Sequence, residues 1–180
     1  MTQFEALLRG VNVGKAKRVA MADFRLILEG LGFEGVVTLQ NSGNAVFRAD
    51  KGTSTQHAVS LAEAMLRELN IDVPVIVKSA KELSTAILEN PIEEVDADRH
   101  SKLLIAFAQE RKDLSCLSSI EVLVIAPEQF SIGKNAAYLF CPNGILKSKA
   151  GAAILGKMGD GVTTRNLATV LKLEQLFSKV

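Results

Sequence analysis

The sequence has no tryptophan and only one tyrosine, Tyr138, among its 180 residues. Proteins that bind single-stranded nucleic acid without sequence preference stack the bases on aromatic side chains, and this chain offers few such platforms. Lysine and arginine together number 21 against 20 acids, so the net charge of +1 excludes steering of ligands by the protein as a whole. Any electrostatic preference for a ligand must therefore be local.

Cysteine and histidine are also scarce, with two of each. Cys116 and Cys141 lie in apolar stretches and are predicted to be reduced thiols in the core rather than a disulfide. His57 and His100 lie in polar sequence surroundings, and neither has a cysteine or carboxylate at metal-ligand spacing. We therefore expect neither a metal site nor a cofactor.

Long apolar segments are missing too. No apolar run reaches the roughly 18 residues that a membrane span needs. The first five residues carry neither the basic nor the apolar region of a secretory leader. The expected location is the cytoplasm, without a membrane, and 48% hydrophobic residues with 23% charged residues are typical of a folded protein.

Apolar periodicity and turn residues predict the order βαββαβ in the first half of the chain, which is the ferredoxin-like or split βαβ pattern. The predicted elements of this half lie at 4–8, 20–31, 35–39, 45–48, 55–69 and 73–78. The helix over 55–69 is predicted to bury Val59, Ala62, Met65, Leu66 and Leu69.

A helix over 80–88 and an acidic stretch containing Pro91 follow, and the pattern then partly recurs. The predicted strands lie at 103–108, 121–125, 129–132 and 137–140, and the predicted helices at 112–118, 147–158 and 164–177. The expected fold class is α+β, with two ferredoxin-like (split βαβ) halves packed together. The predicted boundaries are 1–78 for the N-terminal half, 79–99 for a helix and acidic linker, and 100–180 for the C-terminal half with its terminal helices.

A glycine-containing, cation-rich loop follows the first predicted strand. Gly10 and Gly14 let the backbone fold tightly and present N–H groups, which favours binding of an anion. Its cations, with no acid between them, are Arg9, Lys15, Lys17 and Arg18. The spacing fits neither a Walker P-loop nor a dinucleotide fingerprint, and the explanation that the glycines only turn the chain is favoured over anion binding.

A second polar run, Thr163-Thr164-Arg165-Asn166, lies near the end of the chain. Thr163 or Thr164 is predicted as the N-cap of the final helix, which places Arg165 and Asn166 in its first turn. A cation is unfavourable beside the positive end of the helix dipole, so we expect an anion to meet Arg165. The anion that meets Arg165 is either a ligand or an acidic side chain of the first half, and the sequence leaves both possibilities open.

The third polar run, Asn41-Ser42-Gly43-Asn44, separates two predicted strands and predicts a hairpin. Ser42 and Asn44 carry side chains that can hydrogen-bond a ligand. Asparagine and glycine are also the residues that a tight turn requires, and this explanation is favoured.

These motifs together resemble the bacterial DUF1697 family, whose function is unknown. The resemblance is carried by residues 7–14, Met21 and the helix that follows it, 42–47, 73–77 and 163–172. It implies a compact α+β protein of the cytoplasm, and it implies no particular activity.

The residues favour a binding module that holds a phosphorylated small molecule or a nucleic-acid backbone in a basic cleft between the two halves. The predicted ligand-binding residues are Arg9, Asn12, Lys15, Ser42, Asn44, Thr163, Thr164, Arg165 and Asn166. One alternative is an enzyme acting on a phosphorylated or carboxylated substrate, with Arg9 and Arg165 as clamps on the anionic group and Ser42 or Thr164 as a hydroxyl participant. Another is an interaction protein that docks an acidic partner. No histidine, cysteine or carboxylate dyad accompanies the motifs, which favours binding over chemistry. The oligomeric state is left open.

Overall fold

The computed structural model describes residues 1–14, 17–92 and 96–180. Its contacts divide the chain into two units: the first unit comprises 1–81 and 173–180, and the second unit comprises 82–172. The first unit is therefore discontinuous in sequence. The finer division at residues 78 and 99 stays a prediction.

The first unit has the predicted βαββαβ order. Its elements are β1 (Thr2–Leu8), α1 (Met21–Gly30), β2 (Glu34–Leu39), β3 (Asn44–Ala49), α2 (Ser54–Leu69) and β4 (Val75–Ser79). The four strands form an antiparallel sheet in the order β2-β3-β1-β4. This is the split βαβ arrangement, and the prediction for this half is confirmed.

The core of the first unit lies between one face of this sheet and the two helices. Successive side chains of a strand point to opposite faces, so Phe4, Ala6 and Leu8 of β1 share one hydrophobic cluster with Phe24 and Leu28 of α1. Helix α2 begins with a capping box between Thr53 and Gln56.

The predicted buried face of α2 is wrong for Val59 and Leu66, whose exposed fractions are 53% and 49%. The buried residues of this helix are His57, Ala58, Leu61, Ala64 and Met65. The helix is therefore rotated relative to the predicted stripe, and His57 faces the sheet.

The rest of the chain forms a second sheet with the same strand order. Its elements are α3 (Ala80–Leu88), β5 (Leu103–Ala108), α4 (Arg111–Ser115), β6 (Gln129–Ile132), β7 (Ala137–Phe140), α5 (Lys149–Leu155), β8 (Val162–Asn166) and α6 (Leu167–Leu176). The antiparallel order is β6-β7-β5-β8. Both halves are ferredoxin-like, as predicted.

Several details of the second half differ from prediction. The predicted strand over 121–125 is wrong, because a 3₁₀ helix runs through Cys116–Leu123. Its buried residues, Leu117 and Ile120, are three apart, which is the 3₁₀ period. The predicted helix over 147–158 is shortened to α5, with 3₁₀ turns at Ile145–Lys147 and Lys157–Gly159.

Polar side chains hold a helical segment against each sheet on the face opposite its core cluster. In the second unit the Tyr138 hydroxyl donates to the Ala86 carbonyl of α3 at 2.6 Å. In the first unit the Gln3 amide donates to the carbonyls of Phe177 and Val180 at 2.6 and 2.9 Å.

Within the described residues, no helix has both the length and the apolar character that crossing a membrane requires. The cytoplasmic location stays a prediction.

Candidate functional site

Hydrogen bonds hold the loop after β1 against the turn between β2 and β3. The side-chain amide of Asn12 donates to the carbonyl oxygens of Val19 at 2.7 Å and of Asn41 at 2.8 Å, and its Oδ1 accepts from the Val19 N–H at 3.0 Å. The Leu8 N–H donates to the Gly43 carbonyl at 2.8 Å. Asn12 has a left-handed backbone, with φ of 57°, which asparagine tolerates better than most residues. Asn12 therefore organises both segments.

The turn between β2 and β3 is closed by its own polar side chains, and the predicted hairpin is confirmed. Asn44 is fully buried, at 0% exposure, and its amide donates to the Leu39 carbonyl at 3.2 Å and to Ser42 Oγ at 2.9 Å. Gly43 has φ of 72°, and a Cβ there would lie 2.6 Å from Cβ of Leu8. Ser42 and Asn44 thus have a clear structural role in the turn.

A surface groove of about 420 Å³ opens beside this loop. Its lining residues are Asn12, Arg18, Val19, Ala20, Met21 and Asn41. Helix α1 begins here, and its N-cap residue, Ala20, has no side-chain acceptor; among the described residues no side chain caps the helix. The first-turn N–H groups carry the positive end of the helix dipole. The groove therefore combines a helix N-terminus with a guanidinium group.

Arg18 is the one cation in the described lining of the groove. Its side chain is exposed, and its Nη2 donates to the Gly14 carbonyl at 2.9 Å. Arg18 is one of the cations of the loop but is not among the predicted site residues. The signal that could have identified it is its position two residues before the predicted helix, because a side chain there lies beside the helix N-terminus.

Of the other two predicted residues of this loop, the structure describes Arg9. Arg9 follows β1 directly and is half-buried. Its backbone N–H donates to the Pro74 carbonyl at 3.0 Å. Lys15 lies outside the described residues. Lys17 is exposed, and its amine donates to the Asp72 carbonyl.

The C-terminal motif forms strand β8 and not the start of a helix. Thr163 pairs with Phe107 of β5, and Arg165 pairs with Ile105. The prediction that Thr163 or Thr164 caps the final helix is therefore wrong, because β-branched threonine suits a strand as well as a cap.

The N-cap of α6 is Asn166. Its Oδ1 accepts a hydrogen bond from the Thr169 N–H at 2.9 Å, which is the bond expected between an N-cap and the third helical residue. The placement of Asn166 in the first turn is wrong by one position, and α6 begins at Leu167.

The predicted placement of Arg165 in the first turn of that helix is wrong as well. Its Nη1 donates to Oγ1 of Thr163 at 2.9 Å and to the Thr164 carbonyl at 2.8 Å. The helix dipole therefore supplies no argument for an anion at Arg165. A ligand-binding role for residues 163–166 stays a prediction.

The remaining reactive side chains are dispersed in the described part of the chain. There, no group of three or more His, Cys, Asp or Glu could hold a metal ion. Both cysteines are free, but Cys116 is exposed, so its predicted place in the core is wrong. Cys141 is buried, and burial raises the pKa of its thiol. His57 is also buried, although residues 53–56, which precede it in the sequence, are polar.

The fold recurs in a solved structure. The chain is similar to the conserved bacterial protein SP0830 from Streptococcus pneumoniae, with 24% sequence identity and a TM-score of 0.79. The similarity covers 97% of this chain and 98% of that chain, and at this identity it shows the fold alone.

No curated protein matches the chain. A family model described as "Protein of unknown function (DUF1697)" matches residues 1–138, which is more than half of the sequence. The chain therefore belongs to the DUF1697 family.

Proposed function

We propose that this protein is a binding module for an anionic ligand, either a phosphorylated small molecule or a nucleic-acid backbone, held in the groove beside α1. One observation supports the proposal: Arg18 and the N-terminus of α1 line the same groove, which has a volume of about 420 Å³. Backbone N–H groups at a helix N-terminus bind phosphate, and a neighbouring guanidinium adds charge-assisted hydrogen bonds.

Within this proposal, Asn12 positions the groove and does not donate to the ligand. Both hydrogens of its side-chain amide are already used, by the carbonyls of Val19 and Asn41. An anion accepts hydrogen bonds and gains nothing from the acceptor oxygen of Asn12. The donors to the ligand are therefore the first N–H groups of α1 and the guanidinium of Arg18.

Binding is proposed in preference to catalysis because of the groups that line the groove. Its described lining offers amides, a helix N-terminus and one guanidinium rather than a nucleophile with an acid–base partner. Contacts of the ligand with Arg9, Lys15 and residues 163–166 stay predictions.

The test is a titration of the protein with inorganic phosphate, monitored by NMR of the backbone amides. We expect the amide signals of Met21 and Ala22 to shift. Arg18→Ala is expected to weaken binding by about tenfold, since a hydrogen bond to a charged group contributes about 1.5 kcal/mol or more. The matched control is Arg25→Ala on α1, because Arg25 is exposed, pairs with Glu29 at 2.7 Å and does not belong to the described lining of the groove.

A short single-stranded oligonucleotide distinguishes the two kinds of ligand. If the ligand is a nucleic-acid backbone, the oligonucleotide binds more tightly than phosphate, and its affinity falls steeply as salt is added. The proposal is wrong if the signals of Met21 and Ala22 move with neither probe, or if both arginine variants weaken binding equally.

A further inference from the structure

His57 has its imidazole ring inside a cluster of aromatic side chains. The residue is 6% exposed, and its ring centroid lies 4.7 Å from that of Phe4, 4.9 Å from that of Phe33 and 5.9 Å from that of Phe47. All three contacts are edge-to-face, with interplanar angles between 76° and 84°. The ring therefore serves as a fourth member of the phenylalanine cluster that joins α2 to the sheet.

The Nε2 atom of this ring is buried and has no hydrogen-bond partner in the described part of the chain. The backbone of Gly52 lies close against the same edge of the ring. A Cβ on Gly52 would be 2.6 Å from Cε1 and 3.0 Å from Nε2 of His57. A charged imidazole carries an N–H donor on both ring nitrogens, and the donor at Nε2 would be buried here without an acceptor.

Among the described residues, the core face of the sheet presents no carboxylate to His57; the buried Glu5 lies on the opposite face of β1, because successive side chains of a strand alternate. The core-facing side chains of the packed strands are apolar: Phe4, Ala6 and Leu8 on β1, and Ala45, Phe47 and Ala49 on β3. The ionisable residues of the adjoining segments, Glu34 beside Phe33 and Asp50 and Lys51 before Gly52, are exposed. On α1, which packs beside α2, the charged residues Asp23, Arg25 and Glu29 are exposed as well.

The position of His57 along α2 acts in the same direction. The backbone N–H of His57 donates to the carbonyl of the N-cap residue Thr53, so His57 lies at the end of the first turn of α2. A positive charge there is opposed by the helix dipole. Burial lowers the pKa of His57 below its ordinary value of 6.5.

From this arrangement we propose that His57 is an acid-sensitive contact: protonation of the imidazole expels the ring from the phenylalanine cluster and releases α2 from the sheet of the first unit. In the released state the imidazole is solvated and titrates near 6.5. The released state therefore binds the proton more tightly than the packed state. Its population rises by about tenfold for each pH unit below 6.5, until the pKa of the packed state is reached.

The test is amide hydrogen exchange of α2, expressed as protection factors so that the intrinsic effect of pH on exchange is removed. Between about pH 8 and about pH 5, protection of Leu61 and Met65 in the wild type is expected to be constant above pH 6.5 and to fall by about tenfold per unit below it. His57→Leu keeps an apolar side chain in the cluster and is expected to remove this dependence. His100→Leu removes the other histidine of the chain and is expected to retain it.

Titration of the two imidazole rings in the wild type by NMR gives a second measurement, which does not depend on the folding of any variant. We expect the ring of His57 to stay neutral at a pH where free histidine is half charged. A His57 pKa at or above 6.5 overturns the proposal. So does a His57→Leu variant whose protection falls with pH as in the wild type.

Discussion

The side-chain amide of Asn12 donates a 2.8 Å hydrogen bond to the carbonyl of Asn41, 29 residues further along the chain. One side chain thus joins the loop after β1 to the hairpin turn and sets one wall of the groove. Asn12→Ala removes this bond and the two bonds to Val19, and places alanine at a φ of 57°. We expect the free energy of unfolding to fall by about 2–4 kcal/mol, measured by urea denaturation at unchanged slope.

Asn12→Gly separates the two causes, because glycine adopts the left-handed backbone without strain. It is expected to lose the hydrogen bonds but to remain about 1 kcal/mol more stable than the alanine variant. If Asn12→Ala unfolds at the same urea concentration as the wild type, the role assigned to Asn12 is wrong.

Gly43 and Gly10 form a matched pair for testing how tightly the turn is packed. Both have a positive φ, 72° and 64°, but a Cβ on Gly43 would lie 2.6 Å from Cβ of Leu8, whereas at Gly10 no described atom lies within 4 Å. Gly10→Ala is expected to cost about 1 kcal/mol from backbone strain alone. Gly43→Ala is expected to cost about 2–4 kcal/mol, since overpacking adds to the strain. Equal losses in chemical denaturation would contradict the close approach of the two segments.

Asn166 caps α6, and the capping bond needs only a side-chain acceptor. Asn166→Ala is expected to lower the free energy of unfolding by about 1 kcal/mol, because the N–H of Thr169 loses its partner. Asn166→Asp keeps an acceptor and adds a negative charge beside the helix N-terminus, so it is expected to stay within about 0.5 kcal/mol of the wild type. An Asp variant as unstable as the Ala variant in thermal denaturation would show that the cap is assigned wrongly.

Tyr138 makes the stability of the second unit sensitive to alkaline pH. Burial and the nearby Glu89 raise the pKa of Tyr138 above its ordinary value of 10.0. The folded state therefore holds the phenolic proton more tightly than the unfolded state, so the stabilisation is present below pH 10.0 and is lost as the pH rises above it. Because this is the only tyrosine, ultraviolet absorbance of the phenolate reports on it directly.

We expect the phenolate signal of the native protein to appear only together with unfolding. Tyr138→Phe supplies the blank for this titration and is expected to cost about 1–2 kcal/mol, because the Ala86 carbonyl loses its donor. Ionisation of the native protein near the ordinary pKa of tyrosine would contradict the buried placement.

Much of the fold was predictable because its elements have sharp sequence boundaries. The helix over 80–88 and the strands over 103–108, 129–132 and 137–140 match the structure at both ends. The strand over 103–108 shows this most clearly: it is an apolar run bordered by Lys102 and Gln109, which limits where its hydrogen bonds can continue.

The groove was not predictable in the same way. The cations of its loop are visible in the sequence, but the contact of Asn12 with Asn41 depends on the hairpin folding back beside β1. Likewise, the threonines at 163 and 164 are compatible with both a helix cap and a strand. They form a strand because they pair with β5, which the local sequence does not show. The inward rotation of His57 depends on three phenylalanines from distant parts of the chain.

The discontinuity of the first unit has a consequence for the order of events during synthesis. The second unit is a continuous segment, 82–172, and all of its residues are available before the last part of the chain is made. Residues 1–81 of the first unit are synthesised earlier, but the unit is complete only after residues 173–180 have been added. The carbonyls of Phe177 and Val180 in this last segment accept the two hydrogen bonds from Gln3. On the ribosome, the half of the protein that is translated first is therefore the half that is completed last.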